Sequence, residues 1–365
     1  MNARALPSAR GAAPSRGPLA LWLLGCALLV LAVLVVGGIT RLQHAGLSIV
    51  QWQPLAGVLP PLDAQDWSRS FDLYRQSPEF RLLNADLTLP GFQRIFWWEY
   101  AHRLLGRLAG VAFFLPLLWF AAQGRLRRAM ALRLSLIFAL GAAQGALGWY
   151  MVASGLIDDP HVSPLRLAAH LGLALLLIGA LLWSAADLWF DPPAGARVPA
   201  WAAAAVVLVF TMALSGALVA GSRAGLVYNT FPLMDGAWVP PGLLRLQPWY
   251  ENLRDNLATI QFLHRALALT VVLGLLALWH RARREAGPGT AAAAYRRPAA
   301  AAMALALALQ VSLGLATLLS GLALPLAALH QAGAVLLYAT VLSTAYTQRR
   351  PTIERPDHGQ ARRKF

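Results

Sequence analysis

The chain has 365 residues, 58% of them hydrophobic and only 13% charged, with a mean hydropathy of +0.54 and a formal net charge of +15. That composition excludes a soluble globular domain and a disordered chain, and places the protein among polytopic membrane proteins. The basic excess does not mark a nucleic-acid binder, because no aromatic-interleaved basic groove accompanies it.

Eight apolar stretches occur in order, at about 18–38, 98–121, 133–153, 164–186, 200–220, 258–280, 299–319 and 325–346. Each is near the roughly 20 residues that a bilayer demands of a helix. The first is too long, and too poorly punctuated by small residues, to read as a cleaved signal peptide. Cys26 within it is the single cysteine, which rules out an intrachain disulfide, a Cys-ligated cluster and covalent Cys-X-X-Cys-His haem attachment.

Sorting charges by segment explains the net charge. The N-terminus, the 122–133, 187–199 and 281–298 loops and the C-terminal tail together hold 19 Lys/Arg against 5 Asp/Glu, and the rest of the chain holds 12 against 11. The positive-inside rule therefore puts both termini in the cytoplasm, in what is read as the cell inner membrane. Arg125, Arg127 and Arg128, like Arg281, Arg283 and Arg284, serve as topology anchors.

Short matches recur in the same order in two halves. Gly37 with Ala45-Gly46-Leu47 corresponds to Gly216 with Ala224-Gly225-Leu226 at an offset of 179, and Glu99-Tyr-Ala-His102-Arg103 to Gln261-Phe-Leu-His264-Arg265 at an offset of 162. Gln144, Gly148 and Gly155-Leu156 correspond to Gln310, Gly314 and Gly321-Leu322, and His170 to His330. The sequence thus predicts an all-α polytopic membrane protein whose eight transmembrane helices form two tandem, pseudo-symmetric four-helix bundles. The parts are a cytoplasmic segment 1–17, a first half 18–186 with the outer loop 41–97, a linker 187–199, a second half 200–346 and a basic tail 347–365.

His102, His170, His264 and His330 fall on the four helices that enter from the outside, about five to seven residues after each start. At 1.5 Å per residue, that is a common depth of roughly 7–10 Å. Imidazoles are costly in lipid, and two facing pairs in bundle interiors have the chemistry of bis-histidine haem ligation. His44 and His161 fall in outer loops, His280 at an inner helix end and His358 in the tail, where they read as solvated or interfacial groups.

One difference between the halves points to chemistry. Glu99, one turn before His102, becomes Gln261 before His264. Residues three apart share a helix face, so a carboxylate beside one haem could accept a proton or stabilise positive charge where the amide could not. The bland alternative for Glu99 is an ion pair with Arg103 or Arg94. Arg41, Arg103, Arg166 and Arg265 near the outer end suit haem propionates, with helix-end snorkelling as the alternative. Gln144 and Gln310, among small residues, read as helix-bridging amides. In the long loop, Trp67, Phe71 and Tyr74 at helical spacing and Ser77-Pro78-Glu79 as a helix start predict short amphipathic helices, acting as a lid or lying on the membrane surface.

Gly37-Gly-Ile-Thr-Arg41-Leu with Ala45-Gly-Leu-Ser48, then Trp52, Pro54, Gly57, Pro60-Pro61, Trp67, Phe71, Tyr74 and Ser77-Pro78-Glu79-Phe80, carry a resemblance to the heme A synthases. It continues through Phe92 to Arg107, Gln144 to Leu156, Asn229 to Gly236, His264-Arg265 and His330-Gln331, covering about residues 20–345, and is close to the branch shared by alpha-proteobacteria and mitochondria. The resemblance implies oxidation of the C8 methyl of haem O to a formyl group, with oxygen from water. It implies that His102 and His170 hold the substrate haem with Glu99 beside the reacting methyl, and that His264 and His330 ligate a resident haem b as cofactor. A haem O synthase is the implied partner, and a homo-oligomer is left open. Other branches carry a cysteine pair in the first outer loop; this chain has none. A bis-haem b electron carrier, which needs the histidines but not Glu99, and a haem-handling transporter or chaperone, which needs binding without turnover, are the alternative functions.

Overall fold

The computed structural model describes residues 17–53, 56–157, 159–284 and 294–350. The segment 1–17, the tail 347–365 and the 281–298 loop lie partly outside these, and His358 wholly so. The described residues form ten α-helices: α1 (Gly17–Leu42), α2 (Ala64–Arg75), α3 (Pro78–Leu83), α4 (Leu89–Ala122), α5 (Arg128–Ala153), α6 (Pro164–Phe190), α7 (Ala200–Gly221), α8 (Leu257–Arg284), α9 (Arg296–Leu319) and α10 (Leu324–Thr347). All but α2 and α3 are long and apolar enough to cross a membrane, so the protein is an all-helical, multi-pass membrane protein.

Neighbour relations run in the same cycle twice. Helix α1 touches α4, α4 touches α5, α5 touches α6 and α6 returns to α1; likewise α7 touches α8, α8 touches α9, α9 touches α10 and α10 returns to α7. Helices α4 and α6 therefore stand diagonally across one ring, and α8 and α10 across the other. The rings meet where α1 and α6 pack on α10 and α6 on α7.

Lipid tails are as apolar as leucine, so close backbone approach and buried hydrogen bonds must hold these helices together. Gly221 of α7 lies so near Pro164 of α6 that a Cβ there would sit 2.8 Å from the Pro164 Cα. Gly38 of α1 is covered by the Gln331 amide, which donates to the Leu34 carbonyl at 2.8 Å and so ties α10 to α1. Arg41 donates from α1 to the Ala220 carbonyl at 2.9 Å. At the opposite, basic end, Asp187 accepts from Arg133 at 2.8 Å, from Arg349 at 2.7 Å and from the Tyr346 hydroxyl at 3.1 Å. There Arg281 and Arg283 lie over the Trp201 and Trp279 rings, at 4.6 and 4.9 Å.

The long loop contains the two short helices expected of it. Asp63 caps α2 by accepting from the Asp66 amide at 2.8 Å, and Ser77 caps α3 by accepting from the Phe80 amide at 3.2 Å, with Pro78 in the first turn. Both rest on the N-terminal turns of α4 through an aromatic cluster of Phe71, Tyr74, Phe92 and Phe96.

Helix α4 corrects one expectation. It begins at Leu89, nine residues before the apolar stretch, so His102 lies in its second quarter rather than near its start. The expected spacing from the helix start holds for His170, His264 and His330, which follow the starts of α6, α8 and α10 by six or seven residues. For His102 it does not.

Candidate functional site

Each of the four histidines is seated against a glycine of the preceding long helix. A Cβ placed on Gly37 would lie 2.5 Å from His102 Cε1, on Gly148 2.9 Å from His170 Cε1, on Gly216 3.4 Å from His264 Cε1, and on Gly314 2.9 Å from His330 Cε1. The four glycines are the repeated ones, which the sequence shows as markers of the duplication. Their occurrence in step with the histidines was the signal that could have shown the pairing.

The imidazoles come together in twos. His102 and His170, on the diagonal helices α4 and α6, lie within electrostatic reach of each other, and so do His264 and His330 on α8 and α10. His102 Nδ1 is 3.0 Å from the Val33 carbonyl, and His264 Nδ1 is 3.1 Å from Ser215 Oγ, which leaves Nε2 of each ring for another partner. That division of labour, one nitrogen held and the other free, orients an axial ligand. Nδ1 of His170 and of His330 is buried with no hydrogen-bond partner. An unpaired buried polar atom costs about 1–3 kcal/mol, so each pair, with one such nitrogen, fits a further polar partner. Glycine seats, paired imidazoles and orphaned nitrogens together fit a planar iron porphyrin between the rings of each pair.

Gln144 bridges α5 and α6 as its place among small residues suggests, but at the histidine itself. Its amide donates to the His170 carbonyl at 3.0 Å and lies 3.4 Å from His170 Nε2, while its Oε1 has no partner.

Glu99 is buried and fully engaged. One oxygen accepts from Arg103 Nη2 at 2.6 Å and Nε at 3.1 Å; the other accepts from Ser48 Oγ and the Ile49 amide, both at 2.8 Å. The ion pair with Arg103 is thus present, that with Arg94 is not, and the carboxylate remains within electrostatic reach of His102.

A matching clamp occupies the other half. Arg103 donates to the carbonyls of Ile49 at 2.6 Å and Gln51 at 2.9 Å; Arg265 donates to those of Tyr228 at 2.8 Å and Thr230 at 2.9 Å. The paired carbonyls, Ile49 with Tyr228 and Gln51 with Thr230, stand at the same offset of 179 as the Ala-Gly-Leu turns. Gln261 completes the match by donating to Tyr228 O at 2.9 Å. Both clamps pin the strand of loop leaving the first helix of a half over that half's histidines.

The arginines consequently have protein partners. Arg103 and Arg265 hold loop carbonyls, Arg41 holds Ala220 O, and Arg166 donates to Tyr150 O at 2.8 Å with its guanidinium 3.8 Å above the Tyr150 ring. His161 pairs with Asp159 at 2.5 Å, and His44 and His280 are exposed; none of the three joins either chamber.

Comparison with known proteins decides the family. The family model described as cytochrome oxidase assembly protein, COX15-CtaA, matches residues 20–342. The chain belongs to the COX15-CtaA family. It is 48% identical over 340 residues to the heme A synthase of Nitrosospira multiformis, spanning 91% of this chain and 94% of that protein. It is 45% identical over 332 residues to that of Nitrosomonas eutropha, spanning 89% and 92%, and 45% identical over 326 residues to that of Parvibaculum lavamentivorans, again spanning 89% and 92%. Membership in the COX15-CtaA family thus covers both histidine pairs, both clamps and the long loop between α1 and α4.

The glycine seats predict a graded result. Gly37→Ala forces the His102 ring from its rotamer and away from Val33 O, at a cost of about 1–3 kcal/mol. Gly216→Ala places its methyl at ordinary contact distance from His264. Haem titration of the purified variants, followed by absorbance, should show first-half affinity reduced by about one to two powers of ten in the former and second-half affinity unchanged in the latter. Equal behaviour of the two variants would remove the glycines from the haem sites.

Proposed function

We propose that this protein is a heme A synthase, an oxidoreductase that converts the C8 methyl of haem O to the formyl group of haem A. The observation that carries the reading is two neighbouring histidine pairs and, among the described residues, a buried carboxylate, Glu99, within electrostatic reach of one of them. The first half, 18–186, holds substrate haem O between His102 and His170, and the second half, 200–346, holds a resident haem b between His264 and His330. The resident haem supplies one-electron redox chemistry when bound.

The chain's own residues do the rest. Four imidazoles position the two haems, and the glycines beneath them fix the ring orientations. Glu99 places negative charge beside the substrate, where positive charge develops as the methyl group is oxidised. The clamped loops cover both chambers and exclude bulk water, which strengthens electrostatic effects inside. Arg41 and Arg166, with guanidinium N–H groups beyond those given to carbonyls, are the propionate partners. The protein lies in the cell inner membrane with both termini cytoplasmic, and receives its substrate from a haem O synthase.

Deletion tests the reading. Cells lacking the protein should accumulate haem O and contain no haem A on pigment extraction, and the intact chain should restore haem A. Normal haem A in the deletion strain sinks the proposal.

A further inference from the structure

A second carboxyl group lies buried beside the first chamber. Glu79, at the start of α3, is 3% exposed and belongs to the loop layer over α4. Its side chain accepts from the Tyr74 hydroxyl at 3.2 Å, and that hydroxyl accepts from Asn84 Nδ2 at 2.7 Å. Tyr74 stacks on Phe92 at 5.3 Å, in the cluster that also contains Ile49, whose amide donates to Glu99. Glu79 and Glu99 are within electrostatic reach of each other. Among the described residues, the titratable groups that act on Glu79 are Tyr74 on α2 and Glu99 on α4. Arg75 lies over the Phe71 and Phe80 rings, at 4.9 and 5.8 Å, and Arg103 is paired with Glu99.

These two buried carboxyls differ in what they can do. Glu99 is held as the charge partner of Arg103; Glu79 has a phenol and no cation. We propose that Glu79 is a proton-relay residue, through which protons released at the first chamber pass to solvent on the loop side, an inference that rests on that chamber being the site of oxidation. Oxidation of a methyl by water to a formyl group releases four protons and four electrons. The electrons leave by the haem-class acceptor of the second half, and the protons need a base. Each proton turns the Glu79 carboxylate into the neutral acid, and its loss to solvent water at the half-buried Asn84 edge of the loop, with the Tyr74 hydroxyl turning from donor to acceptor, restores the carboxylate. Burial, opposed by the Tyr74 hydrogen bond and reinforced by the charge of Glu99, pushes the Glu79 carboxyl up to about 7. A relay base is most effective near ambient pH.

The test is haem A formation from haem O by the purified, haem-loaded protein across neutral pH. In the wild type the rate should fall as pH drops through about 7, because the acid form cannot accept a proton. Glu79→Gln should lower the rate by about tenfold or more and flatten that limb, while Glu79→Asp keeps a limb. Tyr74→Phe removes a bond that favours the carboxylate, so its limb should move to higher pH; it also decides the matter if Glu79→Gln fails to hold haem. A wild-type rate and profile in Glu79→Gln, or an unmoved limb in Tyr74→Phe, overturns the relay. Absence of haem A formation by the wild type at every pH overturns the functional reading instead.

Discussion

Glu99→Gln should leave both haems bound and reduce haem A formation by about 100-fold or more, the scale of a lost acid-base or charge-stabilising group. The substitution is mild because the protein already uses it. In the second half Gln261 stands at the matching place, Arg265 still holds Tyr228 O and Thr230 O, and the loop remains pinned. Arg103 should likewise keep its bonds to Ile49 O and Gln51 O, so charge is removed and the clamp is not. Glu99→Ala is a poorer probe, since it leaves half-buried Arg103 without its counter-charge and also strands the Ser48 hydroxyl and Ile49 amide that donate to Glu99. The ratio of haem O to haem A in extracted pigment is the readout. An unchanged ratio in Glu99→Gln would confine Glu99 to holding the loop.

Replacing either member of the second pair, by His264→Ala or His330→Ala, should remove the resident haem and stop turnover. The loss of affinity should exceed the roughly 10–100-fold that follows removal of an outer-shell partner of a metal ligand. Replacing His102 or His170 should give the complementary phenotype: resident haem retained with its bis-histidine absorbance, and no haem A. If all four variants lose haem alike, the pairing of chambers with separate roles fails.

Much of this arrangement is readable in the sequence because two physical regularities are strong. A run of about 20 apolar residues is a helix in lipid, and a repeated order of histidines places ligands on matching helices. The start of α4 is not readable that way. Residues 89–97 include Gly91 and Arg94 and fall below the hydropathy of a span, and they are helical because Phe92 and Phe96 pack against Phe71, Tyr74 and Trp67 of the loop layer. The arginines were legible as a set near one end of the bundle, but not as clamps. Nothing in Arg103 or Arg265 announces that loop carbonyls 52 and 54, or 35 and 37, residues away will turn toward them, although the two constant offsets contain the fact in hindsight. The glycines were visible too, and their purpose depends on which helix comes to face them.

The hydrogen bonding of the four imidazoles is uneven within each pair, and this bears on how a large planar ligand gets in. His102 and His264 are held at Nδ1 before any haem arrives, whereas His170 and His330 have no such tether. Each chamber therefore has one fixed jaw and one adjustable jaw. The rotamer entropy of the fixed ligand, on the order of 0.5–1.5 kcal/mol for an immobilised side chain, is removed during folding and not at capture. The adjustable jaw, on α6 and α10, is where the chamber can yield, and both of those helices take part in the junction of the halves.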